Sequence, residues 1–223
     1  MDDLAYLLPM LVFVGLTGVG GHWAGLYPAS YVAKTLLAAG LLWWFWRRYT
    51  RIRWHAWGWG IVVGVLGLVQ WVGMEKALLW AWPNYPRLHA DPFDYMGFFS
   101  EPWMAWAFIA FRWAGAALLV PVMEELFWRD YVWRLTLAPT DFHDAEVGEK
   151  DYKTLIIVSL LFCTVHIQWM TAIVWGLMVG LLLIRTRSLG ACIVAHAVTN
   201  ALLGAYVLYA TQVLGRQSEW MFW

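Results

Sequence analysis

Two adjacent carboxylates and an arginine stand inside an apolar part of the chain, in the stretch Val122-Met123-Glu124-Glu125-Leu126-Phe127-Trp128-Arg129. An ionised side chain at the centre of a bilayer costs roughly 2.5–3.5 kcal/mol, so three such groups need partners or a polar cavity. Residues four apart share one face of a helix, which predicts an ion pair between Glu125 and Arg129. Glu124 lies about 100° round the helix, where it can face a pocket and act as a general base. The alternative is a charge cluster that snorkels at the membrane edge.

Two later apolar stretches contain polar residues at the same four-residue spacing, as Phe162-Cys163-Thr164-Val165-His166 and His196-Ala197-Val198-Thr199-Asn200. His196 and Asn200 would project two hydrogen-bond donors from one helix face, which is what a developing oxyanion requires. Each stretch also has a structural explanation. His166 could be a packed core histidine, and the pair in the last helix could be a polar clamp between helices.

The three stretches taken together are more specific than any one of them. Glu124, His166, His196 and Asn200 would lie on three separate helices and converge on one polar site. A base that activates water and donors that stabilise a tetrahedral intermediate are the requirements for hydrolysing an acyl or peptide bond. Pro121 cannot donate to the carbonyl oxygen of Ala117, so we expect a kink or local opening just before the carboxylates.

The composition places these residues in a membrane. Of the 223 residues, 62% are hydrophobic and 13% are charged, and 19 are tryptophan. Soluble domains contain about 25% charged residues, and tryptophan is enriched at membrane interfaces. The formal net charge is zero, which argues against a nucleic-acid partner.

Apolar windows of roughly 17–25 residues predict an all-α fold, a polytopic transmembrane helical bundle. We expect about seven spans, within a range of six to eight. The expected spans are 4–19, 30–46, 57–77, 103–125, 155–166, 170–184 and 189–213. Gly60-x-x-x-Gly64 in the third span would let another helix approach closely. We expect a single membrane domain over 1–223, with a catalytic core at about 103–213.

The lysines and arginines predict the orientation, with the N-terminus inside. The cytoplasmic side would then carry Arg47, Arg48, Arg51, Arg53, Arg129, Arg134, Lys150, Lys153, Arg185 and Arg187. The opposite side would carry Lys76, Arg87 and Arg216, with Lys34 near that edge and Arg112 within a span.

The three motifs, in this order, resemble those of the CPBP family, the CAAX-protease and bacteriocin-processing intramembrane proteases. They read EELFWR, FCTVH and HAVTN, and the similarity covers about residues 121–201. The family includes the eukaryotic type II CAAX prenyl endopeptidase. HAVTN and the short tryptophan-bearing tail also resemble a bacterial subgroup linked to exosortase and PEP-CTERM sorting. The first 100 residues support the resemblance only as generic membrane helices.

The resemblance implies an intramembrane endopeptidase, in which Glu124 and His166 activate water while His196 and Asn200 form the oxyanion site. Glu125 and Arg129 would order the helix and tune Glu124. The implied substrate is a peptide or lipidated protein, cut near a lipidated or membrane-embedded C-terminus. The implied location is a bacterial inner membrane, in contact with membrane lipid.

Three alternatives stay open. Members of the family have been interpreted both as metalloproteases and as glutamate-dependent proteases, and Glu124, His166 and His196 could ligate zinc. The sequence lacks HExxH, which favours a mechanism without a cofactor. A non-catalytic scaffold or immunity-type protein could keep the motifs for packing. A small transporter or proton relay would predict internal repeats, and the sequence shows none.

Overall fold

The computed structural model describes residues 2–86 and 93–223, and every regular element in these ranges is helical. Arg87 therefore lies outside the described residues. The α-helices are α1 (Asp2–His22), α2 (Tyr27–Trp44), α3 (Trp57–Ala81), α4 (Tyr95–Phe98), α5 (Pro102–Leu137), α6 (Tyr152–Cys163), α7 (Trp169–Thr186) and α8 (Leu189–Gln212). A 3₁₀ helix, Gln217–Phe222, follows α8 and returns to the bundle.

The expected membrane bundle is confirmed. Five of the described helices are long and apolar enough to cross a membrane: α1, α3, α5, α7 and α8. The other two expected spans correspond to α2 and to the shorter apolar helix α6. Large apolar side chains cover the outside of the bundle, and Trp43 and Trp80 are 79% and 86% exposed. Apolar residues on an outer surface are what a lipid environment favours.

Helix α5 is longer than the sequence predicted. The fourth span was expected to end at Glu124 and Glu125, but the helix continues to Leu137 and is 36 residues long. Its charged second half is buried against α1 and the loop after α2. Arg134 pairs with Asp130 at 2.5 Å, and Tyr6 Oη donates to Asp130 Oδ2 at 2.9 Å. Because neighbouring elements satisfy these charges, they can remain in the helix and be buried.

Helix α6 is shorter than predicted. The fifth span was expected to reach His166, but the helix ends at Cys163, and residues 164–168 form a tight connection to α7. The backbone N–H of His166 bonds the carbonyl oxygen of Cys163 at 3.1 Å, which is a three-residue turn. The His166 ring nitrogen Nδ1 contacts the carbonyl oxygen of Phe162. In a continuing α-helix that oxygen would accept from the backbone N–H of His166 instead.

Helices α3 and α8 pack closely, as the glycine spacing predicted. A Cβ atom on Gly60 would lie 2.5 Å from the carbonyl oxygen of Ala191. On Gly64 it would lie 2.7 Å from that of Ala195. Such distances leave no room for a larger side chain, so the two glycines allow direct backbone contact. Helix α8 also packs against α5 and α7, and it is the central helix of the site described below.

Candidate active site

One cavity of about 270 Å³ is bordered by all four of the residues expected to perform chemistry: Glu124, His166, His196 and Asn200. Helix α5 contributes Glu124, and α8 contributes His196 and Asn200. His166 comes from the connection between α6 and α7. The structure thus brings together residues that are up to 76 positions apart in sequence, from 124 to 200. Their catalytic roles stay a prediction.

Glu124 faces this cavity. Its side chain is 7% exposed, and within the described residues its Oε2 atom is buried without a hydrogen-bond partner. Burying an unpartnered carboxylate oxygen is costly, so the native structure needs a reason to keep it. A water molecule or substrate group in the cavity would supply the missing donor.

Glu125 points away from the cavity and holds two other site residues. Its Oε1 accepts a hydrogen bond from Arg129 Nη1 at 3.3 Å, so the expected ion pair is present. The same oxygen accepts from His196 Nδ1 at 2.8 Å, a contact between α5 and α8 that sequence spacing did not predict. Because a carboxylate can only accept, Nδ1 carries the hydrogen and Nε2 is the nitrogen left for the cavity. Glu125 therefore sets the orientation of His196.

His166 is oriented by the end of α6. Its Nδ1 lies 2.9 Å from the carbonyl oxygen of Phe162, and its ring centroid is 4.2 Å from that of Phe162. A carbonyl oxygen accepts only, so Nδ1 is the donor. In the neutral ring Nε2 then has a free lone pair, which can accept a hydrogen bond from water. The Trp71 ring also packs against the imidazole, with 5.8 Å between the two ring centroids.

The local opening expected at Pro121 is a π-helical turn over Gly115–Leu119. The backbone N–H of Val120 donates to the carbonyl oxygen of Gly115, five residues earlier. In the same five-residue pattern, residue 121 would donate to the carbonyl oxygen of Ala116. Proline has no N–H to donate. Asn200 Nδ2 takes its place and donates to the oxygen of Ala116 at 2.9 Å. The proline thus creates an acceptor that holds Asn200 at the cavity wall, and the second Nδ2 hydrogen has no partner among the described residues.

The sequence-based reasoning missed two other polar groups at the cavity. Arg112 and Trp71 both line it, and Arg112 Nε and Nη1 and Trp71 Nε1 are buried without partners among the described residues. Arg112, Ala116, Val120 and Glu124 follow one another at four-residue intervals and all line the cavity. This stripe on α5 is visible in the sequence, and it could have placed Arg112 beside the site.

The metal-binding alternative has no geometric support in 2–86 and 93–223. No group of three or more histidine, cysteine, aspartate or glutamate side chains there could hold a metal ion. As positioned, Glu124, His166 and His196 therefore do not form a ligand set. The zinc alternative stays a prediction, which metal analysis can test.

Residues 103–202 match the family model described as type II CAAX prenyl endopeptidase Rce1-like. That part of the chain is similar to the Rce1-like family. Searches of curated proteins and of solved structures find no match. The matched segment runs from the start of α5 into α8. It contains the six site residues expected from the sequence: Glu124, Glu125, Arg129, His166, His196 and Asn200. The family match implies CAAX-type intramembrane protease activity, with a peptide or prenylated protein in a membrane as substrate.

Proposed function

We propose that this protein is a glutamate-dependent intramembrane endopeptidase that hydrolyses a peptide bond near a lipidated or membrane-embedded C-terminus. One observation carries the proposal above the others. Glu124 lines the same cavity as His166, His196 and Asn200, and its Oε2 atom is buried without a hydrogen-bond partner among the described residues. A base without a partner, beside three groups held in place by other contacts, suits the activation of a water molecule.

In the proposed reaction, the Glu124 carboxylate takes a proton from a water molecule. His166 Nε2 accepts a hydrogen bond from the other O–H group of that water. This contact orients a lone pair of the water oxygen towards the scissile carbonyl carbon. The C–O bond forms as the carbonyl π electrons move to oxygen. Glu124 then returns the proton to the leaving amine as the C–N bond breaks. No covalent enzyme intermediate forms.

The oxyanion formed in this step would be stabilised by Asn200 and His196. Asn200 Nδ2 has a second hydrogen beyond the one given to Ala116. His196 donates through Nδ1 to Glu125, so donation from Nε2 requires a proton on both ring nitrogens. Removing one oxyanion donor from a hydrolase typically lowers kcat by about 10²–10³.

The proposed setting is a bacterial inner membrane with the N-terminus inside. Ten of the lysines and arginines would then lie on the cytoplasmic side, where α5 ends and α8 begins. A peptide could reach the cavity from the cytoplasm, while a lipid chain on it stayed in the bilayer. Labelling of single cysteines placed in the loops from either side of the membrane tests this orientation.

The test uses purified protein in liposomes and an internally quenched farnesyl-cysteine peptide as the probe. Glu124→Gln, His166→Ala, His196→Ala and Asn200→Ala should each abolish cleavage, because each removes a group from the proposed reaction. Exposed residues of the same types supply matched controls. Glu101→Gln and His22→Ala should cleave like the unmodified protein.

Full activity in Glu124→Gln would overturn the proposal. A non-catalytic scaffold gives a different result, since it shows no cleavage in any variant and loses thermal stability with each substitution. Added zinc that restores activity to chelator-treated protein would favour the metalloprotease alternative.

A further inference from the structure

Arg112 lies on the cavity stripe of α5, twelve residues before Glu124. An arginine inside a membrane helix is costly, and such residues usually pair with an acid or line a functional pathway. Within the described residues, Arg112 has no salt bridge. Its Nε and Nη1 atoms are buried and have no hydrogen-bond partner.

Aromatic rings surround the guanidinium of Arg112. Its Cζ lies 4.4 Å from the ring centroid of Trp223, 5.5 Å from that of Tyr31 and 5.9 Å from that of Tyr95. Ring faces attract the cation but cannot accept in-plane N–H bonds as a carboxylate does. Nε and Nη1 of Arg112 thus both lack an acceptor with complementary charge among the described residues.

We propose that Arg112 binds the terminal carboxylate of the peptide substrate. A carboxylate has the charge opposite to that of a guanidinium, and a hydrogen bond between the two is shorter and stronger than a neutral one. The carboxylate also loses its water on entering the membrane, so it needs a cation there. This inference rests on the proposed function, because it assigns the substrate of that same cavity.

The spacing on α5 sets a limit on the product. Twelve helical residues at about 1.5 Å each separate Arg112 from Glu124 by about 18 Å along the helix, and less across the π-helical turn. An extended peptide covers about 3.3 Å per residue. At most about five residues therefore fit between the bond cleaved at Glu124 and a carboxylate held at Arg112.

The remaining unpartnered groups suit the peptide between these two points. Trp71 Nε1 and Trp223 Nε1 are buried donors without acceptors among the described residues, and both rings line the cavity. Peptide carbonyl oxygens would supply acceptors. Donors therefore predominate in the cavity, and Glu124 is the one acidic residue among its described lining residues.

The segment after α8 covers the Arg112 end of the cavity. Glu219 Oε1 accepts from Lys76 Nζ at 2.7 Å, and Gln168 Nε2 donates to the carbonyl oxygen of Met221 at 2.7 Å. These contacts hold Phe222 and Trp223 in the cavity wall. The Trp223 ring shields the guanidinium from solvent, which strengthens its attraction for an anion.

The experiment compares two probes on the full-length protein in liposomes. Both are farnesyl-cysteine peptides with three residues after the cysteine; one ends in a free carboxylate and the other in an amide. The unmodified protein should cleave the free acid with a kcat/KM about tenfold to a hundredfold higher, mainly through a lower KM. Arg112→Met should remove this preference, Arg112→Lys should keep part of it, and Arg216→Met, at an exposed site, should keep it all.

Equal cleavage of the acid and the amide by the unmodified protein would overturn the inference and leave the proposed function standing. Absence of cleavage of both probes would overturn the proposed function instead. Binding of the same two peptides to Glu124→Gln, measured by fluorescence anisotropy, tests the Arg112 site independently of chemistry. Tighter binding of the acid supports the site, and equal affinities refute it even where Arg112→Met fails to fold.

Discussion

Glu124 and Glu125 are adjacent, but the structure predicts opposite effects when each is changed to glutamine. Glu124 lines the cavity; among the described residues it has no salt bridge, and its Oε2 is buried without a hydrogen-bond partner. The Oε2 of Glu125 is unpartnered there too, but its Oε1 accepts hydrogen bonds from both Arg129 and His196. Glutamine keeps the size of the side chain and removes its charge. Glu124→Gln should therefore stop cleavage and leave the fold intact, while Glu125→Gln should destabilise the fold.

The size of the second effect follows from the burial of the pair. Glu125 and Arg129 are 0% and 1% exposed, so removing the carboxylate leaves a buried guanidinium without its counter-charge. Breaking a buried pair in this way costs about 3–5 kcal/mol. In a chain of this length, that corresponds to a fall in melting temperature of about 6–20 °C. Glu124→Gln should leave the melting temperature unchanged or raise it, because it relieves an unpartnered buried charge.

Thermal unfolding in detergent, measured beside cleavage of the farnesyl-cysteine probe, checks both halves of this prediction. The double variant, Glu125→Gln with Arg129→Met, removes both charges of the ion pair, so neither position keeps an unpaired charge. Its loss of stability should be smaller than the sum of the two single losses. Equal melting temperatures for Glu124→Gln and Glu125→Gln would refute the assignment of separate roles, as would strict additivity in the double variant.

Three further predictions concern packing, capping and metal dependence. Gly64→Ala would place a Cβ atom 2.7 Å from the Ala195 oxygen and should cost about 1–3 kcal/mol in thermal unfolding. Gly58→Ala, which meets no atom within 4 Å, is the control, and an equal loss in both would contradict the close α3–α8 contact. Ser188 caps α8, and its hydroxyl group donates to carbonyl oxygens in the loop before α3. Ser188→Ala should therefore lower the free energy of unfolding by about 1–3 kcal/mol. Ser218→Ala, at an exposed site, is the control and should leave it unchanged. Unchanged stability in Ser188→Ala would show that the cap is dispensable. Cleavage of the probe should persist when a metal chelator is added. Loss of cleavage in the chelator, together with one zinc ion bound per chain in metal analysis, would favour the zinc alternative.

The candidate site could be predicted from the sequence where its geometry is local. Glu125 and Arg129 pair because residues four apart in a helix are neighbours, whatever the rest of the chain does. Pro121 opens the helix because proline lacks an N–H in any context. The grouping of Glu124, His166, His196 and Asn200 rested on same-face pairs in three separate spans, and a family resemblance made it sharper.

Helix ends were harder to predict, because tertiary contacts decide them. Hydropathy ended the fourth span at its first charges, but Asp130 and Arg134 find partners on α1 and in the loop after α2, so α5 continues. The fifth span looked continuous up to His166. The turn there depends on a side-chain contact with Phe162 that an apolar pattern cannot reveal.

The sequence by itself determined that this chain is a helical membrane protein with three motifs of the Rce1-like kind, since hydrophobicity and four-residue spacing are properties of local sequence. Only the tertiary structure decided that Glu125 holds His196 and that Asn200 reaches Ala116. It also placed Arg112 at the end of the same cavity as Glu124. These contacts join helices that are distant in sequence, and how those helices pack depends on side chains along their whole length.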